Sequence, residues 1–479
     1  MHRNRTKSRR RRMKAVWLLP LLCAWSFAGE SGLPHRDKTG ADGQESANLR
    51  MLRQWGGEIP EPDAAVFEAA YAALAKDGAA SFAQLAANAD FQKICREQRR
   101  DLLGGPMLGD VRPGGVSIWC RTVRPATLQV RVTAGDEERT YGPVASTAAT
   151  DLTAVVPVTG LTPGARYPYR VLVDGATVPG DRSFSTAPAQ AETGIVRMVF
   201  GTCYHRTGLG NAKLAAAMLA REPTAFLAYG DIAVEDRSAH CGLVRADYLA
   251  RDFFPAWRKF ASAVPVFAVW DDHDYYNNDS GGFVAMGKKG KEDARPQIRE
   301  VFRHAWCNPA YGFGADGGRG IFFRTRIGPC DVIMLDTRYF RYGPGERNVI
   351  LGDAQMAWLE TQLQDCKGPF IVLSSGTMWS DYISDGKDSW GKHDREGRER
   401  IFDLIEQNRV PGVLLISGDR HGARGFRIPR RSGFAFYEFE VASLGGKRVS
   451  STPVLRSKAR IRSPNCSVSE APAPSGSSP

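Results

Sequence analysis

Residues 264–270 (Val-Pro-Val-Phe-Ala-Val-Trp) form a short apolar run that ends abruptly in Asp271, Asp272, His273 and Asp274. An apolar run with β-branched members is typical of a strand buried on both faces of a sheet. Three carboxylates packed around one imidazole repel one another and need a counter-charge, which a bound cation would supply. A polar turn with solvated acids is the alternative that this motif alone leaves open.

Four other apolar runs end in the same manner, with polar residues directly after them. They are Ile195–Phe200 before Cys203 and His205, Ala225–Tyr229 before Gly230 and Asp231, Val332–Leu335 before Asp336 and Arg338, and Val413–Ile416 before Asp419 and His421. Ligands of open α/β sheets bind beyond the carboxyl ends of the strands. The repeated arrangement therefore favours a metal site over solvated turns.

These motifs also carry a family resemblance, in matching order from about Gly105 to about Leu444. The motifs are Cys203 after a strand, Gly230-Asp231, Trp270-Asp-Asp-His-Asp274, Asn277-Asn278, Leu335-Asp-Thr-Arg-Tyr-Phe-Arg341 and Ser417-Gly-Asp-Arg-His421. Together they resemble the PhoD-type alkaline phosphatases, which belong to the calcineurin-like metallophosphoesterase superfamily. The resemblance implies an α/β fold: a four-layer αββα metallophosphoesterase-like catalytic domain preceded by a small fibronectin-type β-sandwich.

The resemblance also implies a set of metal ligands. Asp231 matches the shared aspartate of the family's Gly-Asp motif and is expected to bridge two metal ions. Asp272 stands where related enzymes carry Asn and is expected to bind one metal, while Asp271 binds a metal or orients its neighbour. Asp419 and His421 are two residues apart on one loop and can reach the site together.

Cys203 bears most directly on the identity of the metals. Together with His205, it stands where many metallophosphatases carry Asp-x-His. A thiolate suits iron or zinc better than magnesium or calcium. We therefore expect two or more metal ions, iron or zinc with a second divalent ion such as calcium. The alternative is that Cys203 packs as a small hydrophobic side chain under the sheet.

Three further residues are candidates for contact with the substrate. His273 is expected to protonate the leaving group or to bind phosphate rather than to bind metal, although it could simply fix its loop. Arg338 is a candidate for phosphate binding through its planar guanidinium, with an ion pair to Asp336 or Asp381 as the alternative. Asn278 is a candidate for metal or phosphate binding, although Asn is also an ordinary turn residue.

The chain divides into five predicted parts. They are an export signal (1–28), a linker and helical segment that packs on the next domain (29–104), the fibronectin-type sandwich (105–188), the catalytic domain (194–449) and a disordered tail (450–479). Alternating apolar and polar residues within 105–188 indicate half-buried strands. In 194–449, strand-like runs alternate with helical stretches, which favours α/β layering.

The basic character of the chain is concentrated in its first residues. Residues 1–14 hold eight basic side chains and no acid, so without them the net charge of +12 falls to +4. The apolar stretch Ala15–Phe27 is short for a membrane span, and Ala28 is a suitable cleavage point. We therefore expect export to the periplasm or the extracellular space, no transmembrane anchor after signal removal, and no specific nucleic-acid binding.

The sequence thus predicts an exported metal-dependent phosphoesterase that hydrolyses phosphomonoesters or phosphodiesters with a metal-activated hydroxide. One departure from the family supports an alternative. Such enzymes usually carry Tyr three residues after the Gly-Asp aspartate, where this chain has Val234, with Glu235 beside it as a substitute ligand. A catalytically weakened metal-binding surface or adhesion protein is therefore the second hypothesis, which the otherwise intact ligand set disfavours.

Overall fold

The structure, a computed structural model, describes most of the chain between residues 47 and 445. The described ranges are 47–57, 59–190, 195–285, 293–313, 318–342, 348–381, 389–445 and 467–469. The predicted export signal lies outside these ranges, as does the predicted tail except for 467–469. Within the described ranges, no helix is both long enough and apolar enough to cross a membrane.

Within the described ranges, four helices precede the first strand. They are α1 (Ala47–Gly56), α2 (Glu61–Leu74), α3 (Phe82–Ala87) and α4 (Ala89–Glu97). Helix α2 has a proline in its first turn, where a backbone N–H would have no hydrogen-bond acceptor within the helix. The helix buries Phe67 and Tyr71. Phe67 lies against Phe253 of the region predicted to be catalytic, with ring centroids 5.5 Å apart. The helical segment therefore packs on the following part of the chain.

Two antiparallel sheets follow these helices. The first sheet has the strand order β1 (Leu102–Arg112), β2 (Gly115–Thr122), β5 (Thr153–Val158). The second sheet has the strand order β4 (Glu137–Ser146), β3 (Ala126–Ala134), β6 (Arg166–Val173), β7 (Ala176–Thr177). Strand β8 (Arg182–Ser185) also pairs with β6. A short 3₁₀ helix spans Ala148–Thr150. Strand β1 begins three residues before the predicted boundary at 105. The assignment of these sheets to the fibronectin type stays a prediction.

A parallel sheet with the order β11-β10-β9 comes next. Its strands and the helices around them are β9 (Met198–Gly201), α5 (His205–Leu209), α6 (Ala212–Leu219), β10 (Ala225–Tyr229), α7 (Cys241–Phe253), α8 (Pro255–Ala261), β11 (Val266–Val269), α9 (Asp272–Tyr275), α10 (Gly282–Ala285) and α11 (Arg295–Ala305). Helix α7 carries Arg245, whose Nε donates a 2.8 Å hydrogen bond to Asp151 before β5. This ion pair joins the parallel sheet's helices to the antiparallel sheets.

The last sheet has seven strands in the order β12-β13-β14-β15-β17-β16-β18. Its strands and helices are β12 (Phe323–Ile327), β13 (Cys330–Met334), α12 (Gly352–Asp365), β14 (Phe370–Ser374), α13 (Trp390–His393), α14 (Arg395–Gln407), β15 (Val413–Ser417), β16 (Ala423–Pro429), β17 (Ala435–Val441) and β18 (Ser467–Ser469). Strands β13, β14, β15 and β17 run parallel.

Alternate residues of the seven-stranded sheet belong to two different cores. Ile333 and Leu373 pack with Phe402 of α14 in one cluster, whereas Val332 and Val372 join the main core that also holds the parallel sheet. This alternation is expected of a sheet covered on both faces. The mixed α/β class is thereby confirmed, while the four-layer arrangement stays a prediction.

All five apolar runs form strands, but they belong to two sheets. The runs before Cys203, Asp231 and Asp271 form the three parallel strands β9, β10 and β11. The runs before Asp336 and Asp419 form β13 and β15 of the seven-stranded sheet. The polar residues at the strand ends therefore come from two sheets that share one core.

Candidate metal centre

Four carboxylates meet where strands of both sheets end. One oxygen each of Asp231, Asp271, Asp272 and Asp419 lies within 4.8 Å of the others. Asp231 and Asp271 are fully buried and Asp272 is 1% exposed. The four carboxylates come from three separate segments of the chain, each of which follows a strand: β10, β11 and β15. The convergence of these strand ends explains how the carboxylates meet at one point.

Two further groups of potential ligands lie at this cluster. One shares Asp231 and Asp272 with it, and the other adjoins it through the Cys203 thiol, 3.3 Å from Asp231 Oδ2. Cys203, His205 and His421 offer one sulfur and two ring nitrogens, and His273 joins Asp231 and Asp272; within each group the donor atoms again lie within 4.8 Å of one another. The structure therefore brings close together the predicted ligands Cys203, Asp231, Asp272, Asp419 and His421. It adds His205, which the sequence had suggested only as part of a Cys-x-His pair.

The backbone at these positions has an uncommon conformation. Cys203, His205, Asp231, Asp419 and His421 all have positive φ, between 39° and 70°. Non-glycine residues seldom adopt this left-handed region, and such residues cluster at functional sites, where surrounding structure holds them in place. The sharp turns direct side chains from successive loop positions toward the same point.

Glycine permits the close approach of two strand ends. Gly230, which precedes Asp231, has a φ of 120°. A Cβ atom at this position would lie 2.2 Å from Cβ of Asp271, so no side chain fits there. The Gly-Asp motif thus has a packing reason as well as a chemical one.

Asp231 lies at the most crowded point of the cluster. Burial and the charge of Asp272 raise the pKa of its carboxyl well above the usual value. Its Oδ2 accepts a 3.3 Å hydrogen bond from the Cys203 thiol. Its Oδ1 has no hydrogen-bond partner among the described residues. A buried carboxylate oxygen in this state is stabilised by a cation, so the donor set fits a bound metal.

Cys203 is fully buried and, like the six other cysteines that the structure describes, is a free thiol. Burial, together with the charges of Asp231 and Asp419, raises its pKa well above the ordinary value for a thiol. A nearby cation is therefore required before the thiolate, the form that binds metal, can exist at neutral pH.

Arg338 contacts two of the carboxylates, Asp271 and Asp272. It is fully buried; its Nε donates a 2.5 Å hydrogen bond to Asp271 Oδ1, and its Nη2 lies 3.7 Å from Asp272 Oδ1. The ion-pair alternative therefore has a structural basis, but the partner is Asp271 rather than Asp336 or Asp381. Asp381 instead pairs with Arg398, 2.6 Å away.

Asn278 lies at the rim, where it is exposed. Its backbone N–H donates a 2.7 Å hydrogen bond to Asp236 Oδ1. Its roles in metal or phosphate binding stay predictions.

His273 has a partner that the sequence did not reveal. Its Nδ1 lies 2.9 Å from Asp236 Oδ1. Burial lowers the pKa of His273, but the charge of Asp231 and the hydrogen bond to Asp236 outweigh it and raise the pKa to about 11. Asp236 fixes the ring and leaves Nε2 as the nitrogen outside this bond. Only its position on the loop after Asp231 could have suggested it.

Val234 and Glu235 occupy different environments. Val234 is 1% exposed and packs in the main core, so it offers no ligand. Glu235 is half-buried, and its Oε1 lies 3.8 Å from Nδ1 of His205. Glu235 therefore borders the candidate centre through His205.

Comparison with family models covers the part of the chain that contains most of these residues. Residues 244–471 match the model of the PhoD-like phosphatases. The match covers a little under half of the chain and makes this part similar to the PhoD-like phosphatases. The match includes Asp272, His273, Arg338 and the Asp419 loop, and it supports a hydrolase that acts on phosphate esters. The matched region begins after Cys203 and Asp231. Only the geometry of the structure connects these two residues to the other potential ligands.

Comparisons with other family models and with solved structures give information on the fold of the chain. Residues 99–191 match a domain of unknown function, DUF7800. A solved structure of PhoD has 18% sequence identity and a TM-score of 0.58 over 72% of this chain and 78% of that chain, which shows a shared fold. TT1561 of Thermus thermophilus, at 14% identity over 52% of this chain and 91% of its own, has a TM-score of only 0.30. None of the curated proteins matches the sequence.

Proposed function

We propose that this protein is an exported, metal-dependent phosphoesterase that hydrolyses phosphomonoesters or phosphodiesters. The observation that carries the proposal is the convergence of buried Asp231, Asp271 and Asp272 with Asp419, next to a Cys203–His205–His421 group. So many acids at one buried point are expensive without bound cations. The PhoD-like phosphatase match gives the chemical class of the reaction.

The donor types suggest two different metals. Sulfur and imidazole donors from Cys203, His205 and His421 suit iron or zinc, whereas the oxygen donors of Asp272 and Asp419 suit a harder ion such as calcium. Asp231 belongs to the carboxylate group and is hydrogen-bonded to Cys203, so it is the residue suited to bridge the two. Bound metals would neutralise the phosphate and lower the pKa of a nucleophilic water molecule.

His273 would donate a proton to the leaving oxygen. Its Nδ1 is held by Asp236 at 2.9 Å, and a fixed ring places the other nitrogen reproducibly. Proton donation matters most for leaving groups that are poor as anions. Asp236 does not touch the substrate in this account; it positions His273.

Arg338 and Asn278 would have unequal roles at the substrate. Arg338 is fully buried and bonded to Asp271, so its charge would stabilise the ligand shell from behind. Asn278 is exposed beside the loop that holds His273 and is therefore the one of the two that a phosphate ester entering from solvent can reach.

The test is the hydrolysis of three esters by the purified mature protein: p-nitrophenyl phosphate, bis-p-nitrophenyl phosphate and an alkyl monoester. We expect turnover to be lost after chelation and restored by added iron or zinc with calcium. Asp90→Asn, which changes an exposed carboxylate on α4, is the control and should remain active. Failure of the fully metal-loaded protein to hydrolyse any phosphate ester would contradict the proposal.

The second candidate is a metal-binding surface protein with weakened catalysis, which the burial of Val234 in the core favours. Stoichiometric metal without turnover on any of the three esters is the outcome that would select this candidate over the first.

Export is a separate part of the proposal. The basic residues 1–14 followed by the apolar stretch Ala15–Phe27 support cleavage after Ala28. N-terminal sequencing of the secreted or periplasmic protein should begin at Gly29. A mature protein that still begins at Met1 would overturn this part.

A further inference from the structure

A polar cavity lies away from the candidate metal centre. It has a volume of about 500 Å³ and is bounded by the start of β1, the loop before β8, and helices α7 and α8. Ser262 and Lys259, which line it, precede β11, whereas Asp271 follows that strand. The cavity therefore opens near the amino end of the parallel sheet, and it shares no residue with the groups of potential metal ligands.

Cationic side chains outnumber acids in this cavity. Those that line it are Arg99, Arg100, Arg182, Arg258 and Lys259, against Asp101, Asp181 and Asp252. Arg100 and Arg258 both pair with one carboxylate, Asp63. The other three cations have no ion pair among the described residues. They are therefore available to an anion.

Arg182 is held in place by the backbone. Its Nη2 and Nη1 donate hydrogen bonds of 2.8 and 3.1 Å to the carbonyl oxygens of Pro179 and Gly180. A guanidinium fixed in this way loses less conformational entropy when it binds an oxyanion than a freely moving side chain does. Lys259 and Arg99 are exposed and provide charge at the rim.

The floor of the cavity contains an incompletely bonded carboxylate. Asp252 is 3% exposed; its Oδ1 accepts a 2.8 Å hydrogen bond from Arg251, but Oδ2 has no hydrogen-bond partner among the described residues. A Cβ at Gly104 would come within 2.4 Å of this Oδ2, so glycine leaves it space. Buried polar atoms without a partner are uncommon and suggest a missing donor.

We propose that this cavity binds a small molecule with a phosphate or phosphonate group at one end and an amine or hydroxyl donor at the other. The oxyanion contacts Arg182, Lys259 and Arg99, and the amine or hydroxyl end lies toward Asp252, whose negative charge favours it. Guanidinium groups match tetrahedral oxyanions through parallel N–H donors. Cavities of this volume between two parts of a chain commonly hold small ligands. The site functions independently of the proposed phosphoesterase chemistry.

The test is isothermal titration calorimetry of the full mature protein with 2-aminoethylphosphonate, whose carbon–phosphorus bond a phosphoesterase does not cleave. We expect saturable binding that Arg182→Gln weakens about tenfold, since a charge-assisted contact is lost. Lys259→Gln should weaken it less, and Lys213→Gln, an exposed lysine on α6, should leave it unchanged. Hydrolysis of p-nitrophenyl phosphate should be the same in all three variants.

Ethylphosphonate, which lacks the amine, separates the two ends of the site. It should bind more weakly than 2-aminoethylphosphonate, and Asp252→Asn should remove most of that difference. If Asp252→Asn does not fold, the Arg182→Gln and Lys259→Gln variants still decide the matter. Absence of saturable binding, or binding that neither variant weakens, overturns the proposal.

Discussion

Two buried carboxylates from a single motif, Asp274 and Asp272, occupy contrasting environments. Asp274 accepts hydrogen bonds from the three consecutive backbone N–H groups of residues 232–234. Burial raises its pKa, but these hydrogen bonds lower it, and the result is about 6. Asp336 is similar, because the indole of Trp270 and several backbone N–H groups donate to it. We call Asp274 and Asp336 the structural carboxylates.

The site carboxylates, Asp231, Asp271, Asp272 and Asp419, face one another instead. Burial and the charge of Asp272 raise the pKa of Asp231 well above its usual range, and no backbone N–H comparable to those at Asp274 offsets the rise. Both sets follow apolar strands and look alike in sequence. What separates them is the main source of positive charge. Backbone N–H groups surround the structural carboxylates, whereas the site carboxylates have one backbone N–H, from Asp279 to Asp272, the Arg338 guanidinium and, in our account, bound cations.

Among the variants that test this difference between the two sets of carboxylates, Asp231→Asn is expected to have the largest effect on metal content and kcat. Loss of a bridging charge should release metal and raise the barrier by several kcal/mol, which is at least about a thousandfold in kcat. The fold should persist. The pKa of Asp231 is higher in the folded protein than in the unfolded chain. The metal-free protein therefore loses stability as the pH rises above the pKa that Asp231 has in the unfolded chain, because the buried carboxylate must then ionise. At pH 8 the metal-free variant should therefore unfold at the same temperature as metal-free wild type, or higher.

Calorimetric unfolding of both proteins after chelation measures this effect, with Asp90→Asn as the exposed control. A metal-free Asp231→Asn protein that unfolds well below the metal-free wild type would place Asp231 among the structural carboxylates.

His273→Ala should produce the next largest effect. We expect hydrolysis of an alkyl monoester to fall by about 10²-fold or more, since an alkoxide needs a proton, and hydrolysis of p-nitrophenyl phosphate to fall much less. Steady-state kinetics on both esters measures the difference. An equal loss on both would indicate phosphate binding or loop support instead.

Asp236→Asn should give a smaller loss with the same dependence on the leaving group. Because Asp236 acts through His273, at 2.9 Å, adding Asp236→Asn to His273→Ala should cost nothing further. Additive losses in this double-mutant cycle would show that Asp236 has a separate role.

Cys203→Ser should lower metal affinity about tenfold or more, whereas Cys307→Ser should not. Cys307 is also buried and is in no group of potential ligands among the described residues, so it is a matched control. Burial raises the pKa of Cys203 in the metal-free protein, which makes its alkylation slow. Metal retention against a competing chelator is therefore the measurement. Equal retention by the two variants would return Cys203 to the role of a buried hydrophobic side chain.

Asp151→Asn tests stability at a carboxylate outside the site and should have the smallest effect on activity. Burial alone would raise the pKa of Asp151, but His304, Arg245 and Arg121 lower it to about 2. A lowered folded-state pKa stabilises the protein above the unfolded pKa, by about 2 kcal/mol at pH 7, and this is lost as pH falls toward 2. Denaturant unfolding should show that Asp151→Asn lowers the free energy of unfolding by this amount at pH 7 and by less at pH 3. The control Asp136→Asn should have the wild-type free energy of unfolding at both pH values. An equal loss at both pH values would contradict the linkage.

The sequence was sufficient to predict the strands that end at the site. Apolar runs before Asp231, Asp271 and Asp419 are distinct because parallel strands are buried on both faces. Local pattern does not specify which strands pair, so the division of these runs between two sheets was not foreseen. The same limit applies to the start of β1 at Leu102, since buried residues there continue the strand beyond the predicted boundary.

Individual partners were harder to predict than ligand types. Asp236 was missed because its hydrogen bond to His273 depends on how two loops meet, for which no sequence spacing is diagnostic. Arg338 was expected near Asp336 or Asp381, but the fold places it against Asp271 of another strand. Only the family resemblance separated Asp272 from Asp274. The local pattern does not, because the N–H donors that satisfy Asp274 come from the Asp231 loop.

Metal content per chain is the most direct test of the claim that cations hold the site carboxylates together. Elemental analysis of the purified, unchelated protein should find at least two metal ions per chain, one of them iron or zinc, and Asp231→Asn should fall to one or fewer. Asp151→Asn should keep the wild-type content. Full phosphatase turnover by a wild-type protein with less than one metal ion per chain would contradict the account.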